Sequence, residues 1–269
     1  MRYYGIFEKM HNLDLNNLQD IDLYEGYFSE KYDSILGTYS KENEIYLSNA
    51  CCLDGDILEL ACGTGRILID LAKRGFRVKG VDYSKDMLQQ LENKLKRCSP
   101  RVRNNITHEQ GDIFEYCTDE KYGLVIIPAT TICLLLDDFQ KAVRLFENVY
   151  EMLDEGGRFI FDYRIDQDDR RKRCSTLEMK TVEKEEYKEF VMFQEFDNYI
   201  PQQSVVNFYA ERIYPTHTER YMTSSNKKIV TDELVKKIVS KTKFKVWNEE
   251  VVLVGEEVNI KYLTLYKSE

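Results

Sequence analysis

The stretch Asp56-Ile-Leu-Glu-Leu-Ala-Cys-Gly-Thr-Gly-Arg66 decides how this chain is read. Its apolar first half predicts a short strand, Asp56–Leu60, and a helix is expected to start near Gly65. A strand-to-helix turn beneath a nucleotide needs backbone without a Cβ at Gly63 and Gly65, for unusual φ angles and for close approach of a ligand. Seventeen residues beyond Gly65 stands Asp82, ending a second strand candidate, Val78-Lys-Gly-Val-Asp82. A carboxylate there can accept both hydroxyls of a ribose. The dinucleotide fingerprint asks for Gly or Ala three residues after Gly65, where this chain has Leu68, and no Gly-Lys-Ser/Thr follows. A dehydrogenase and a P-loop protein are therefore both disfavoured.

Outward from this loop, strand-like runs alternate with helical ones. Asp56–Leu60, Phe76–Val81, Asn105–Glu109, Leu124–Ile127 and Arg158–Phe161 are the expected strands, with helices from about Gly65, Ser84 and Asp138. Such alternation predicts a parallel sheet with helices on both faces. Before it, Leu18, Ile21, Tyr24, Phe28, Tyr32 and Ile35 recur at helical spacing, predicting two helices broken near Gly37. After it, Tyr187–Phe196 and Val205–Tyr214 read as strands of an insertion. A helix, Asp232–Lys241, and a hairpin of Lys245–Val254 and Glu257–Lys267 joined at Gly255 close the chain. The expected division is a helical cap at 1–55, a core at 56–162, a β-rich, acceptor-binding insertion at 163–230, and the final helix and edge hairpin at 231–269.

Five segments in order resemble the class I S-adenosylmethionine-dependent methyltransferases. They are Glu59-Leu-Ala-Cys-Gly-Thr-Gly65, Gly80-Val-Asp-Tyr-Ser84 with Met87, Gly111-Asp-Ile113, Tyr122-Gly-Leu-Val-Ile-Ile-Pro128 and Leu153-Asp-Glu-Gly-Gly-Arg-Phe-Ile-Phe161. The resemblance implies an α/β, Rossmann-like, doubly wound seven-stranded sheet with a terminal antiparallel hairpin, and S-adenosylmethionine as cofactor. It implies that Glu59 anchors the glycine loop and that Ala61 and Gly63 present backbone to the methionine and ribose portions. Gly65 completes that loop, Asp82 takes the ribose hydroxyls, Tyr83 and Met87 pack on the adenine, and Asp112 and Ile113 address its edge and ring. Pro128 begins the loop beside the sulfonium, and Tyr32 resembles a tyrosine that closes on the cofactor's carboxylate. The loop Pro128-Ala-Thr-Thr131 departs from many relatives, so the acceptor-binding residues they carry there have no counterparts here.

Composition bounds the partners. The 269 residues carry 38 Lys and Arg against 47 Asp and Glu, a net charge of −9, which disfavours nucleic acid. The longest mostly apolar run, Leu124 to Leu136, is interrupted by Pro128, Thr130 and Thr131 and is far below the roughly 18–20 residues of a membrane span, so no membrane is expected. Seven cysteines without Cys-x-x-Cys spacing and no apolar leader after Met1 make a reducing cytoplasm the expected home. Three scattered histidines give no expected metal site. The oligomeric state is left open.

Methyl transfer from a sulfonium mainly requires alignment, and a base only where the acceptor must lose a proton first. Asp162, at the carboxyl end of the fifth strand, is the candidate catalytic residue; a turn residue pairing with Arg164 is the alternative, and His217 is a second candidate base. Of 19 tyrosines, seven lie in residues 1–50 and six in 163–221. Residues 1–50 also hold nine acids against four bases. An acidic, tyrosine-rich cap fits a cationic acceptor, a small molecule or short peptide-derived natural product, with nitrogen favoured over oxygen. An RNA or protein-side-chain methyltransferase, a noncatalytic cofactor-binding protein and an aminopropyltransferase are the competing readings. Arg170-Arg-Lys-Arg173 after Asp166-Gln-Asp-Asp169 is a mixed-charge loop that could also touch a leader peptide or RNA.

Overall fold

The computed structural model describes residues 2–36, 40–165, 173–198, 202–254 and 258–268. Two compact units emerge, one of Met1–Gly37 with Asp168–Ile229 and one of Thr38–Gln167 with Val230–Glu269. We call them unit 1 and unit 2. Unit 1 opens with α1 (Gly5–Asn12), β1 (Leu18–Asp20) and α2 (Gly26–Leu36). Unit 2 follows with α3 (Ser40–Ala50), β2 (Ile57–Leu60), α4 (Arg66–Lys73), β3 (Val78–Asp82), α5 (Lys85–Leu95), α6 (Pro100–Arg103) and β4 (Ile106–Gln110). It continues through β5 (Tyr122–Ile127), α7 (Ile132–Leu135), α8 (Phe139–Met152) and β6 (Leu153–Ile165). The chain returns to unit 1 for β7 (Arg173–Cys174), β8 (Glu178–Glu183), β9 (Lys188–Asn198), β10 (Gln203–Ile213) and β11 (Thr218–Lys228). Then α9 (Asp232–Val239), β12 (Lys245–Val254) and β13 (Val258–Tyr266) finish unit 2.

Among the described residues, unit 2 has a seven-stranded sheet in the order β12-β13-β6-β5-β2-β3-β4. The pairs from β6 to β4 are parallel, while β13 runs antiparallel to β6 and to β12. This is the Rossmann-like α/β sheet with a terminal hairpin that the sequence predicts; Gly255, the expected joint, lies outside the described residues. Strand periodicity explains why both faces are apolar. Leu58, Leu60, Val125, Ile127, Phe159 and Phe161 face one core with α8 and α9. Ile57, Val78, Leu124, Ile126 and Ile160 face the other with α3 and α4. Full burial of each such side chain contributes about 1.5–3 kcal/mol.

Several expectations are corrected. Ile45, Tyr46, Leu47 and Ala50 of α3 bury in the second of these cores, so the chain divides at 37/38 instead of 55/56. Leu18–Asp20, expected inside a helix, is a strand paired in parallel with Arg220, Tyr221 and Met222. Left-handed Asp14 (φ 48°) and Asn17 (φ 61°) turn the chain out of α1 just before it. The inferred break near Gly37 lies outside the described residues, as do Asp166–Asp169 and the first three residues of Arg170-Arg-Lys-Arg173.

Unit 1 has, among its described residues, a six-stranded sheet in the order β1-β11-β10-β9-β7 with β8 also on β9. Strands β8 to β11 form antiparallel pairs, and two of them, β8 and β11, are missing from the sequence expectation. Phe28 and Tyr27 of α2 pack with Phe208, Val191 and Tyr221, and Phe7 of α1 with Tyr209 and Met222. Beside them the buried Glu189 accepts from Lys31 Nζ at 2.5 Å and from Arg212 Nε at 2.9 Å. No helix among the described residues is long and apolar enough to cross a membrane.

Candidate functional site

The carboxyl ends of β2, β3, β5 and β6 gather most of the singled-out residues within unit 2. After Leu60 the chain makes a left-handed turn at Ala61 (φ 58°), Gly63 (φ 55°) and Gly65 (φ 74°) before α4 begins. The Gly65 amide closes onto the Cys62 carbonyl at 2.9 Å. Its absent side chain matters twice: φ is left-handed, and a Cβ would stand 2.3 Å from Leu91 Cδ1 of α5. Leu68, where the dinucleotide fingerprint has a small residue, is fully buried. Room for it comes from the neighbouring strand, because a Cβ on Gly80 would lie 2.7 Å from Cys62 Sγ and 3.1 Å from Leu68 Cδ1. The Cys62 thiol is buried and its pKa is pushed well up by desolvation and by the nearby Glu59 and Asp82, which makes it a space-filling group.

Asp82 ends β3 and is nearly buried. One carboxylate oxygen accepts the Gly63 amide at 2.7 Å and the other the Ser84 amide at 2.8 Å. Burial raises its pKa above the ordinary carboxylate range, and the two amides offset this only in part. The same side chain therefore shapes the glycine loop and caps the second βα turn, where Ser84 Oγ accepts the Met87 amide at 3.1 Å. Glu59, fully within β2, is also buried.

The remaining predicted residues divide by exposure. Tyr83 is 75% exposed, although its neighbours Asp82 and Ser84 are held in place. Asp112 is exposed, and its carboxylate accepts the Phe114 amide at 2.9 Å in a turn after β4. Met87 and Ile113 are core residues: a Cβ on Gly63 would sit 3.1 Å from Met87 Cε, and Ile113 packs with Leu60 and Val81. Tyr32 belongs to unit 1, on α2, its ring 5.9 Å from that of Tyr24. His217 is exposed at the β10–β11 turn, stacked on Tyr214 with ring centroids 4.5 Å apart.

Asp162 is 1% exposed. Oδ1 accepts the Tyr46 hydroxyl at 2.6 Å and Oδ2 the Thr130 amide at 2.7 Å. Thr130 (φ 54°) and its neighbour Ala129 (φ 62°) are both left-handed, a placement that costs non-glycine residues about 1–2 kcal/mol each. They follow the buried Pro128 at the end of β5. Sequence reasoning missed Tyr46 and Thr130: Tyr46 reads as one more tyrosine of a cap, and nothing in Pro128-Ala-Thr-Thr131 signals a left-handed pair. A hollow of about 380 Å³ belongs to unit 1, but its Lys31 is engaged by Glu189 and its Lys180 by the carbonyls of Ser34 and Ile35.

Residues 57–157 match the model of a family described as a methyltransferase domain. The chain is 30% identical over 143 residues to YqeM of Bacillus subtilis (strain 168), covering 52% of this chain and 55% of that protein. It is 28% identical over 148 residues to the cypemycin N-terminal methyltransferase of Streptomyces sp, covering 54% and 58%. It thus spans about half the length of these curated relatives. The solved structure of the sugar N-methyltransferase KedS8 from Streptoalloteichus sp ATCC 53650 shares the fold, with a TM-score of 0.72 over 91% of this chain and 94% of that one at 15% identity.

Proposed function

We propose that the whole protein is a class I S-adenosylmethionine-dependent methyltransferase that transfers a methyl group to a small molecule or a short peptide-derived natural product, at nitrogen in preference to oxygen, a reading supported by the methyltransferase-domain match over residues 57–157. The observation that carries the cofactor half of this reading is Asp82: a buried carboxylate at the carboxyl end of a parallel strand, tied by one oxygen to the glycine loop and by the other to the next turn. Hydroxyl groups of a ribose are the ligands such an acceptor suits. The exposed ring of Tyr83, between two fixed neighbours, fits an adenine platform, and the exposed Asp112 fits its amino edge.

Bound there, the cofactor supplies a methyl group already activated by a sulfonium charge. The chain's own task is to bind, orient and exclude water. Ala61 and Gly63 would present backbone, Gly65 would let the loop turn, and Glu59 would hold it from below. Met87 and Ile113 would support the adenine site from the core, Pro128 would begin the loop on the acceptor side, and Tyr32 is carried as the residue that would meet the cofactor's carboxylate. Alignment at near-attack distance supplies roughly 7–11 kcal/mol without a titrating group.

Support for the acceptor class is of two kinds. Relatives and neighbours in fold include one named as an N-terminal methyltransferase and one named as a sugar N-methyltransferase. The first 50 residues hold nine acids against four bases, which suits an amine arriving as a cation. Calorimetry with S-adenosylmethionine should give binding in the micromolar range. Incubation with methyl-labelled cofactor and a panel of amino sugars, short peptides and phenols should then label the amines first. Absence of binding heat overturns the cofactor assignment; labelling of phenols alone overturns the nitrogen preference.

A further inference from the structure

The buried carboxylate of Asp162, inside β6 one residue beyond its last pair with β5, has a task other than proton transfer. A general base must reach the proton it removes, and Asp162 is 1% exposed with one oxygen on Tyr46 and the other on Thr130. What it reaches is backbone strain. Ala129 and Thr130 are consecutive non-glycine residues with φ of 62° and 54°, and Thr130 is β-branched. Such a conformation persists only where the surroundings over-determine it. Further contacts brace the same turn, from the Thr131 amide to the Pro128 carbonyl at 3.2 Å and from the Cys133 amide to the Thr130 carbonyl at 3.0 Å. All of these lie at the carboxyl end of β5, the side on which open parallel sheets bind their ligands.

We propose that Asp162 is a positioning residue: it locks the left-handed turn at Ala129 and Thr130 through the Thr130 amide, with Tyr46 orienting the carboxylate, so that the loop begun by Pro128 meets cofactor and acceptor in one shape. This rests on the methyltransferase reading for its ligand, although the lock itself does not. Asparagine at 162 can do the same work, its carbonyl accepting the Thr130 amide and its NH₂ donating to a reoriented Tyr46 hydroxyl. A base cannot be replaced in this way.

The test uses the full chain and S-adenosylhomocysteine as the probe. Hydrogen exchange at the Thr130 amide and calorimetric affinity are measured in wild type, Asp162→Asn, Asp162→Ala, and Asp162→Ala combined with Thr130→Gly. In Asp162→Ala, exchange should quicken and affinity should fall, each by about tenfold, the effect of losing one hydrogen bond to a charged group. Asp162→Asn should stay within about threefold of wild type on both. Glycine at 130 occupies a left-handed φ without a clamp, so the double variant should regain most of the lost affinity. A purely structural role would lower thermal stability without that recovery. Equal losses in Asp162→Asn and Asp162→Ala, or no recovery in the double variant, overturn the proposal. Should Asp162→Ala not fold, Asp162→Asn decides alone. If wild type does not bind the probe, the methyltransferase reading fails and Thr130 exchange still judges the lock.

Discussion

The two sheets of this protein are built on opposite principles. Every residue of β5, Tyr-Gly-Leu-Val-Ile-Ile, is buried, whereas every residue of β8, Glu-Met-Lys-Thr-Val-Glu, is exposed. The parallel strands of unit 2 have both faces covered, so nearly any added atom meets another. The antiparallel strands of unit 1 are unevenly covered: Phe208 packs with α2 and its neighbour Tyr209 with α1, while β8 stays exposed, and charge is carried even on a buried position, as at Glu189 between Lys31 and Arg212. Loops at the carboxyl ends of the covered sheet can therefore be held rigidly by buried polar groups such as Asp82 and Asp162. On an exposed strand such as β8, side chains have room to vary with little cost to the fold.

The sharpest way to break this contrast is Gly123→Ala in β5. Its Cβ would fall 1.8 Å from the Asp54 carbonyl oxygen, a backbone atom, so we expect a loss of about 4 kcal/mol or more in urea unfolding. A loss below about 1 kcal/mol would show that the parallel sheet has slack. Next in size is Glu189→Ala in unit 1, which strips Lys31 of its carboxylate and leaves Arg212 with the more distant Glu219 at 3.8 Å, and should cost about 3 kcal/mol, read from amide exchange in β9 and β10. Burial opposes ionisation of Glu189, but Lys31 and Arg212 outweigh it and hold its pKa below the usual range. Its contribution is thus full above the ordinary carboxylate pKa of about 4.3 and disappears as pH falls through the depressed value; unit 1 should resist mild acid.

Asp82 should behave in the opposite sense. Its pKa is raised, so the charged acceptor is lost on acidification at a pH above the usual aspartate value of about 3.9. Affinity for S-adenosylmethionine, followed by calorimetry from pH 7 downward, should decline earlier than ordinary aspartate titration would give. At pH 7, Asp82→Ala should weaken binding by about 10–100-fold, one or two charged hydrogen bonds. The smallest effect is expected at His217→Ala, on the exposed β10–β11 turn, where thermal unfolding should change by no more than about 0.5 kcal/mol.

Legibility in the sequence followed the same divide. Ile57–Leu60 and Tyr122–Ile127 are near-continuous apolar runs, and such runs announce a sheet covered on both sides. Gly63, Gly65 and Asp82 were legible because turn geometry and ligand chemistry restrict which residue types can stand there. By contrast Glu178–Glu183 is exposed throughout, with only Met179 and Val182 apolar, and is a strand because β9 pairs with it. Leu18–Asp20 is likewise a strand only through β11, since local spacing favours a helix.

Taken alone, the sequence determined the parallel αβ core, its strand order of appearance, the glycine turn and the terminal hairpin, because those features depend on local periodicity and on residues with special backbone freedom. Only the tertiary structure decided that α3 belongs with that core, that Met87 and Ile113 are packing residues, and that Asp162 faces Tyr46 and Thr130. The last of these depends on contacts 116 and 32 residues apart in the chain. A carboxylate looks the same in sequence whether it points to solvent or into a strained turn, and only its neighbours in space settle which.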